Sequence, residues 1–295
     1  MLRINLKELS TVDVQNYLQH AVAPRPICLA STIDNDGNIN LSPFSFFNIF
    51  SSNPPIVIFS PAKRVRDNTA KHTLENVLEH PEVVINIVDY DMVQQTNLSS
   101  CEYAKEINEF TKAGFTMQPA FIVQPPMVRE SKIKLECKVI EVKPLGNEGG
   151  AGNLIICEVL IMHIDENILD DEGKIDQEKI NHAARLGGDW YCQVNKHNLF
   201  KVEKPDRHTA IGFDALPESI INSRFFSKNQ LAILANVAPI PAIDRSFEDQ
   251  ELNIITKNNN GNELEMKSKI FAYAGRLINE NKAHQAWQIL LQALE

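Results

Sequence analysis

The sequence predicts a mainly β fold with peripheral helices, organised as an antiparallel barrel. From Ile133 to Val139 apolar and charged residues alternate, which is typical of a strand with one buried and one wet face. A second apolar run at 154–164 follows the loop GNEGGAGN, and the two runs suggest an antiparallel pair. Short turns with few intervening helices separate the other predicted strands, which favours a barrel over a doubly wound sheet.

The chain begins with a predicted helix and a hairpin. Ser10 or Thr11 caps a helix that runs to about residue 19. The segment RPICLASTID at 25–34 is apolar and of strand length. Asp36-Gly37 then gives a turn signal and NINLS resumes a strand, which predicts a hairpin.

Strands and short helices alternate in the next hundred residues. Strands are predicted at 56–59, after a double proline, and at 83–88, where β-branched residues cluster. Between them the apolar spacing is helical, with Asn68 or Thr69 as the cap. The polar stretch 94–112 predicts short surface helices.

The character of the sequence changes after Pro205. Short helices are predicted at 217–223 and 228–236, and a Pro- and Asp-rich loop follows them. Beyond the break at Asn258-Asn259-Asn260-Gly261, two helical runs suggest a helical hairpin, one from residue 263 to about 278 and one at 283–294. We therefore expect a barrel domain at 1–205 and a helical C-terminal extension at 206–295.

Composition and charge exclude several classes of protein. The 295 residues carry 29 Lys and Arg against 38 Asp and Glu, a formal net charge of −9, which argues against a nucleic-acid surface. No apolar run approaches the roughly 18 residues of a membrane-spanning helix, and the first residues lack the apolar core of a signal peptide. We expect a cytoplasmic protein without membrane contact.

Motif spacing excludes the common catalytic and metal chemistries. The sequence contains no CxxC, GxGxxG, GxxxxGK[ST], HExxH or GxSxG, and its eight His are scattered. We predict no metal site and no catalytic side chain. The cysteines are expected to be unpaired, buried and inert: Cys28, Cys101, Cys137, Cys157 and Cys192.

The segment SPFSFFNIFSSNPP at 42–55 combines hydroxyls, amides and four Phe. A core strand would carry fewer Ser and Asn, and a loop would carry fewer Phe. The mixture suits a flat aromatic ligand, because rings can cover its face while hydroxyls and backbone N–H groups bind its edge. A Phe-rich barrel corner with capping Ser residues is the alternative.

The next segment, SPAKRVRDNTAKHT at 60–73, is locally basic. It holds Lys63, Arg64, Arg66 and Lys71 among small hydroxyl residues and leads into the predicted helix, whose free N–H groups favour anions. This predicts a monophosphate site, with a solvated loop as the alternative. An aromatic segment followed by a basic one fits a mononucleotide with a large flat ring.

Several ordered motifs resemble one family. RPICLASTIDNDGNINLSPFSFFNIFSSNPPIVIFSPAKR, then KHTLENV, VVINIV, LIICEVLIMHID and RLGGDWY, are similar to the flavin reductase-like domain, an FMN-binding split barrel. The resemblance covers about residues 23–205. It implies a six-stranded antiparallel Greek-key barrel that binds FMN non-covalently near a homodimer interface.

The resemblance also implies a set of FMN-binding residues. Ser31 and Thr32 would lie on the strand along the flavin. Ser45, Phe46, Phe47 and Asn48 would form the loop at the isoalloxazine edge. The implied ribityl and phosphate contacts are Ser60, Lys63, Arg64, Lys71 and Thr73. His163 matches a position near the ring, with a hydrogen-bonded barrel histidine as its alternative. His72 stands where many relatives have Asp, which changes the local charge. The RLGG segment at 185–188 would cover the site or form dimer packing.

The implied function is that of an FMN-dependent oxidoreductase of the flavin reductase type. NAD(P)H would deliver hydride to FMN, and the reduced flavin would pass electrons to a small-molecule acceptor. Two alternatives stay open: a non-catalytic flavin-binding or regulatory module, since nothing identifies a hydride-donor site, and an enzyme like pyridoxamine-phosphate oxidase on a related barrel.

Overall fold

The computed structural model describes residues 1–202, 204–205, 209–259 and 262–294. It contains two compact units, Met1–Phe200 and Lys201–Glu295. The predicted domain boundary between residues 205 and 206 stays a prediction, because residues 206–208 lie outside the described part of the chain. No helix among the described residues is long and apolar enough to cross a lipid bilayer.

In the part of the chain that the structure describes, every strand belongs to the first unit. In chain order they are β1 (Arg25–Pro26), β2 (Cys28–Ile33), β3 (Ile39–Phe44), β4 (Phe47–Ser52), β5 (Pro55–Phe59), β6 (Glu82–Ile87), β7 (Met117–Gln118), β8 (Met127–Val128), β9 (Ile133–Pro144), β10 (Asn153–Ile164), β11 (His182–Arg185) and β12 (Tyr191–Val194). Seven of them form one antiparallel sheet in the order β3-β2-β6-β9-β10-β5-β4, while β1, β11 and β12 form a three-stranded sheet and β7 pairs with β8.

The predicted β-rich fold with a large antiparallel sheet is confirmed. β9 and β10 pair along their whole lengths, with irregularities beside Cys157 and Val159. β2 and β3 form the expected hairpin, whose turn is held by Asp34 Oδ1 accepting from the N–H groups of Asp36 and Asn38. The sheet has a seventh strand, β4, because residues 47–52 pair with β5. Of the four residues for which the resemblance implies a loop, Phe47 and Asn48 therefore lie on a strand.

Four α-helices lie in the described part of the first unit: α1 (Thr11–Ala21), α2 (His72–Glu79), α3 (Val93–Leu98) and α4 (Glu109–Ala113). Ser10 Oγ accepts from the N–H of Asp13, so the predicted cap of α1 is confirmed. The prediction that α2 begins at Asn68 or Thr69 is wrong. Asn68 adopts φ 57° and Asp67 Oδ1 accepts from the N–H of Thr69, so a turn occupies these positions.

The interior of the seven-stranded sheet is apolar. Phe59, Val83, Ile85 and Ile155 are fully buried there. The buried thiols predicted from sequence are present at Cys28, Cys137 and Cys157, and burial raises the pKa of Cys137 to about 12. The expectation of burial is wrong for the other two cysteines, since Cys101 is exposed and Cys192 is half-buried. Cys101 follows α3 in a polar surface connection, where few apolar neighbours surround it.

The described part of the second unit is helical. It holds α5 (Glu218–Ile221), α6 (Lys228–Ala235), α7 (Gln250–Asn258), α8 (Glu263–Asn279) and α9 (Ala283–Gln292). Its core centres on the fully buried Trp287, whose Nε1 donates to the carbonyl of Leu234 at 3.1 Å. The sequence reading missed α7, although Asp249 caps it by accepting from the N–H of Leu252. The other four helices were predicted.

Candidate functional site

The basic loop, residues 61–71, connects β5 to α2 and holds Arg64 in one orientation. Arg64 Nη1 donates to Thr69 Oγ1 at 2.9 Å and to the carbonyl of Ala70 at 2.6 Å. Arg64 Nε donates to Glu102 Oε1 at 3.1 Å. Within the described residues Nη2 has no acceptor. The loop therefore fixes the guanidinium and leaves one of its nitrogens available.

A glycine-rich loop, residues 146–152, packs directly against the basic loop. A Cβ at Gly149 would lie 2.9 Å from a backbone oxygen of the basic loop, and one at Gly152 would lie 2.6 Å from Ser60 Oγ. Lys63 Nζ donates to the carbonyl of Asn147 at 3.1 Å. The glycines thus permit a close approach of two backbones, and Lys63 is directed at the glycine-rich loop.

A narrow polar pocket lies on the other side of Arg64. Its lining residues are Asn40, Ser42, Arg64, Lys71, His72, Ser100, Cys101, Glu102, Tyr103 and Glu109. The Lys71 ammonium has no hydrogen-bond acceptor among the described residues and lies 5.9 Å from the centroid of the Phe44 ring. Burial, together with the neighbouring Arg64 guanidinium, lowers the pKa of Lys71. Two cations held at one pocket favour the binding of an anion.

Two carboxylates line the pocket, Glu102 and Glu109, and Glu102 is the one that pairs with Arg64. Its Oε1 pairs with Arg64 and its Oε2 with Arg66. The side chain is 47% exposed. The free space of the pocket is only about 20 Å³, close to that of one water molecule. A phosphate can enter only if Glu102 or a neighbouring side chain moves aside, and the exposure of Glu102 makes such a movement easy.

A buried hydrogen-bond network supports the pocket from behind. Asn40 Nδ2 donates to Ser42 Oγ at 3.1 Å and to Thr73 Oγ1 at 3.2 Å. Asn76 of α2 donates to Thr32 Oγ1 at 3.1 Å. Thr32 and Thr73 are fully buried, so their hydroxyls tie β2 and β3 to α2. Thr32 and Thr73, both predicted as site residues, therefore lie beneath the surface of the pocket.

Ser31 is directed away from this pocket. Neighbouring residues of a strand point to opposite faces of the sheet, and Thr32 occupies the face toward α2. Ser31 pairs with Leu41 and Val84, is fully buried, and its hydroxyl has no partner among the described residues. The side chains of Ser31 and Thr32 therefore do not share one ligand-facing surface.

The aromatic bend, Ser45 and Phe46, joins β3 to β4 close to the basic loop. The N–H of Ser60 donates to the carbonyl of Phe46 at 2.9 Å, which couples the bend to the start of the basic loop. In the described residues the N–H groups of Ser45 and Phe46 have no acceptor. Phe46 is 43% exposed, whereas Phe47 is half-buried. The bend thus offers two backbone donors beside an exposed ring.

Asn48 and the interior phenylalanines complete the aromatic segment. Asn48 is exposed on β4, and its side-chain oxygen accepts from the N–H of Ile49 at 2.8 Å. Beneath the bend, the rings of Phe44 and Phe59 lie 5.1 Å apart. Because Lys71 lies over Phe44, the same ring stack links the aromatic bend to the cationic pocket.

His163 belongs to a different polar cluster. Its Nε2 lies 2.6 Å from Oε1 of Glu136, a fully buried carboxylate. Glu136 also accepts from the N–H groups of Phe121 and Ile122, each at 2.7 Å, and of Val123 at 3.2 Å. Burial would raise the pKa of Glu136, but these donors outweigh it and lower that pKa. The geometry is that of the hydrogen-bonded barrel histidine, while a contact of His163 with a flavin stays a prediction.

The RLGG segment packs on α1 within its own unit. Arg25 Nη2 donates to the carbonyl of Leu186 at 2.8 Å, and Arg25 Nη1 donates to the carbonyl of Gln19 at 2.6 Å. A Cβ at Gly187 would lie 2.2 Å from the ring of His20. The first glycine of the segment is therefore required by contact with α1.

Sequence reasoning missed several pocket residues: Asn40, Ser42, Ser100, Cys101, Glu102, Tyr103 and Glu109. Asn40 and Ser42 carried a signal, since two polar residues alternate with apolar ones on a strand and so share a face. Glu102 and Glu109 carried none, because their approach to the pocket depends on how the connection after α3 folds back. Glu109 Oε2 accepts from the N–H of Leu41 at 2.9 Å, which fixes that return.

The chain was compared with known proteins. Residues 20–179 match the family described as flavin reductase like domain. An uncharacterized protein of Aquifex aeolicus is 37% identical over 61% of this chain and 90% of its own length. One of Halalkalibacterium halodurans, BH2278, is 34% identical over 69% of this chain and 97% of its own.

Solved structures agree with this match. Nitrilotriacetate monooxygenase component B from Bacillus cereus superposes with a TM-score of 0.64 at 28% identity, covering 68% of this chain and 98% of that one. A flavin reductase with a split barrel domain from Shewanella frigidimarina gives 0.58 at 27% identity, covering 68% and 96%. The predicted split barrel with C-terminal helices is confirmed, and the chain belongs to the flavin reductase-like domain family.

Proposed function

We propose that the protein binds FMN non-covalently and acts as an NAD(P)H-dependent oxidoreductase of the flavin reductase type, passing electrons to a small-molecule acceptor. Membership of the flavin reductase-like family supports a flavin oxidoreductase function in general. The choice of FMN rests on this chain's own residues. A mononucleotide needs one anion site beside one surface for a flat ring, and both features lie between β3 and α2.

One observation carries the proposal: Arg64 and Lys71 line the same polar pocket, each with cationic N–H groups that have no acceptor among the described residues. Charge-assisted hydrogen bonds to phosphate oxygens would satisfy these groups. Ser42 and His72 line the same pocket and add polar contacts. The donor set therefore fits the phosphate of FMN, provided that Glu102 moves aside.

The aromatic bend fits the ring of FMN. The N–H groups of Ser45 and Phe46 can donate to the polar edge of the ring, and Phe46 can exclude water from one face. When bound, FMN would supply the hydride and electron chemistry itself, so the site needs no side chain as acid or nucleophile. Asn48, exposed on β4, would extend this surface, whereas Phe47 packs against the interior apolar cluster and would support the bend from within. In this proposal Lys63 and Ser60 stabilise the conformation of the basic loop and do not contact the phosphate.

We further propose that two chains form a homodimer through β4. This edge strand exposes Ile49 by 66% and Phe50 by 63%, and unpaired edge strands with apolar side chains favour association. Such a dimer would cover the aromatic bend, because Phe46 immediately precedes β4. A molar mass of one chain in light scattering with bound FMN would contradict this arrangement.

The decisive experiment measures flavin content and flavin reduction in the same preparation. We expect the purified full chain, after incubation with FMN and removal of unbound flavin, to retain about one FMN per chain. Anaerobic addition of NADH or NADPH should bleach the flavin absorbance. Retention of FMN without bleaching by either donor would leave a flavin-binding module and contradict the reductase proposal. Failure to retain FMN would contradict both the reductase proposal and the alternative of a flavin-binding module.

A further inference from the structure

The second unit contains a cavity that is separate from every residue discussed above. It lies between the connection that follows α5 and the first turns of α8, and its free volume is about 200 Å³. Its lining residues are Ser219, Ser223, Arg224, Phe225, Leu264, Lys267, Ser268 and Phe271. Ligand cavities for drug-sized molecules usually exceed about 300 Å³, so this one suits a smaller ligand.

The cavity is cationic, and none of the described residues that line it is a carboxylate. Arg224 lies over the ring of Phe225 at 5.3 Å, and Lys267 lies over the ring of Phe271 at 5.6 Å. These rings hold the two cations at the cavity through cation–π contact. Phe271 is buried, so the position of Lys267 is tied to the core of the unit.

Three other cations of the second unit are paired with carboxylates. Lys269 lies 2.8 Å from Glu265, Lys282 lies 2.6 Å from Glu280, and Arg276 pairs with Glu251. Within the described residues, Arg224 and Lys267 form no such pair. Two like charges at one cavity repel each other, and a bound anion would relieve that repulsion.

Hydroxyl groups supply further hydrogen-bonding capacity. Ser223 Oγ accepts from the N–H of Phe225 at 3.2 Å, which leaves its proton for another acceptor. Ser219 has no hydrogen-bond partner for its hydroxyl among the described residues. Ser268 donates to the carbonyl of Leu264 at 2.9 Å, so it can only accept. Two hydroxyl donors therefore face the same cavity as the two cations.

We propose that this cavity binds a small phosphate monoester. Arg224 and Lys267 contact the phosphate oxygens, and Ser219 and Ser223 donate to them. The apolar part of the ester lies against Leu264, which is 82% exposed at the mouth of the cavity. Its lining residues all belong to the second unit, and none of them is among the residues proposed to bind FMN.

Phenyl phosphate is a suitable probe, measured by calorimetry on the full chain. A Lys71→Met background keeps the probe from the pocket in the first unit. We expect one phenyl phosphate per chain, and we expect Arg224→Gln with Lys267→Met to weaken binding by about tenfold or more. Lys228→Met is the matched control, because Lys228 lies over Phe213 at 5.8 Å in the same way but does not line the cavity. It should leave binding unchanged.

Three outcomes would overturn the proposal. The first is that phenyl phosphate does not bind even at about 10 mM, a concentration far above that needed for specific recognition. The second is that the double variant binds phenyl phosphate as tightly as the unchanged cavity does. The third is that benzoate binds as tightly as phenyl phosphate. Equal binding of benzoate would show that the cavity binds aromatic anions in general and does not select phosphate. The thermal unfolding midpoint of each variant without ligand identifies any variant that has lost its fold, and Lys267→Met alone then serves in place of the double variant.

Discussion

Two polar clusters of the first unit differ in how completely their charges are satisfied. Glu136 is fully buried and accepts from three backbone N–H groups in addition to its contact with His163. Lys71, by contrast, keeps an ammonium without an acceptor among the described residues, and Arg64 keeps a free Nη2. Removing one partner of a buried charge that has a full set of partners destabilises the fold. Cationic N–H groups that lack an acceptor at a polar pocket can bind a ligand, and this difference separates the candidate site from a structural cluster.

Removing the two cations that line the pocket, Arg64 and Lys71, should have the largest effect on FMN binding. Each charge-assisted hydrogen bond is worth about 1.5–3 kcal/mol, so Arg64→Ala with Lys71→Ala should raise the dissociation constant of FMN about 100-fold or more. Fluorescence titration of FMN measures this directly.

Lys63→Ala is the control for that experiment. The Lys63 ammonium donates to the carbonyl of Asn147 and does not line the pocket, so its loss should change the dissociation constant by less than about threefold. An effect of Lys63→Ala equal to that of the double variant would move the phosphate site to the glycine-rich loop.

The family, the basic segment and the aromatic segment could be predicted from the sequence, because each is indicated by residues that are close together in the chain. The alternation in β9 and the turn at Asp36-Gly37 each depend on a few neighbouring residues. It did not reach Glu102, since the ion pair with Arg64 joins residues 38 positions apart. The start of α2 was also misplaced, because the positive φ of Asn68 continues the basic loop. The direction of the Lys63 side chain could not be predicted either, because it depends on the position of the glycine-rich loop.

Truncating the satisfied carboxylate should damage stability and leave FMN affinity intact. Glu136→Ala leaves three N–H groups and His163 without their acceptor, which should cost about 3 kcal/mol of unfolding free energy. Urea unfolding followed by circular dichroism measures the loss. Glu141→Ala, an exposed position on the same strand, should change stability by less than about 0.5 kcal/mol. A large loss of FMN affinity in folded Glu136→Ala would show instead that this cluster touches the flavin.

The same carboxylate should make stability depend on acid pH. The pKa of Glu136 is lowered in the folded protein, because its hydrogen-bond donors outweigh the effect of burial. The folded state therefore binds this proton less readily than the unfolded chain does. Its stabilising effect is present above the pKa of an ordinary Glu, about 4.3, and is lost as pH falls through the lower folded value. Below about pH 5, Glu136→Gln should reduce the slope of unfolding free energy against pH. An unchanged slope would assign the acid sensitivity to other carboxylates.

Glu102 should have the smallest effect, and its sign is informative. The carboxylate pairs with Arg64 and Arg66 at the pocket, so it competes with an incoming phosphate. Because the pair is partly exposed, Glu102→Gln should tighten FMN binding by no more than about fivefold, and the gain should shrink at high salt. Glu106→Gln, an exposed neighbour outside the pocket, should leave affinity unchanged. Weaker binding in Glu102→Gln would mean that the carboxylate acts by orienting Arg64, because the same contact would then help to present the free Nη2. In that case Glu102 would have a structural role in the pocket, as Glu136 has in its own cluster, although Lys71 has no acceptor in the described part of the chain.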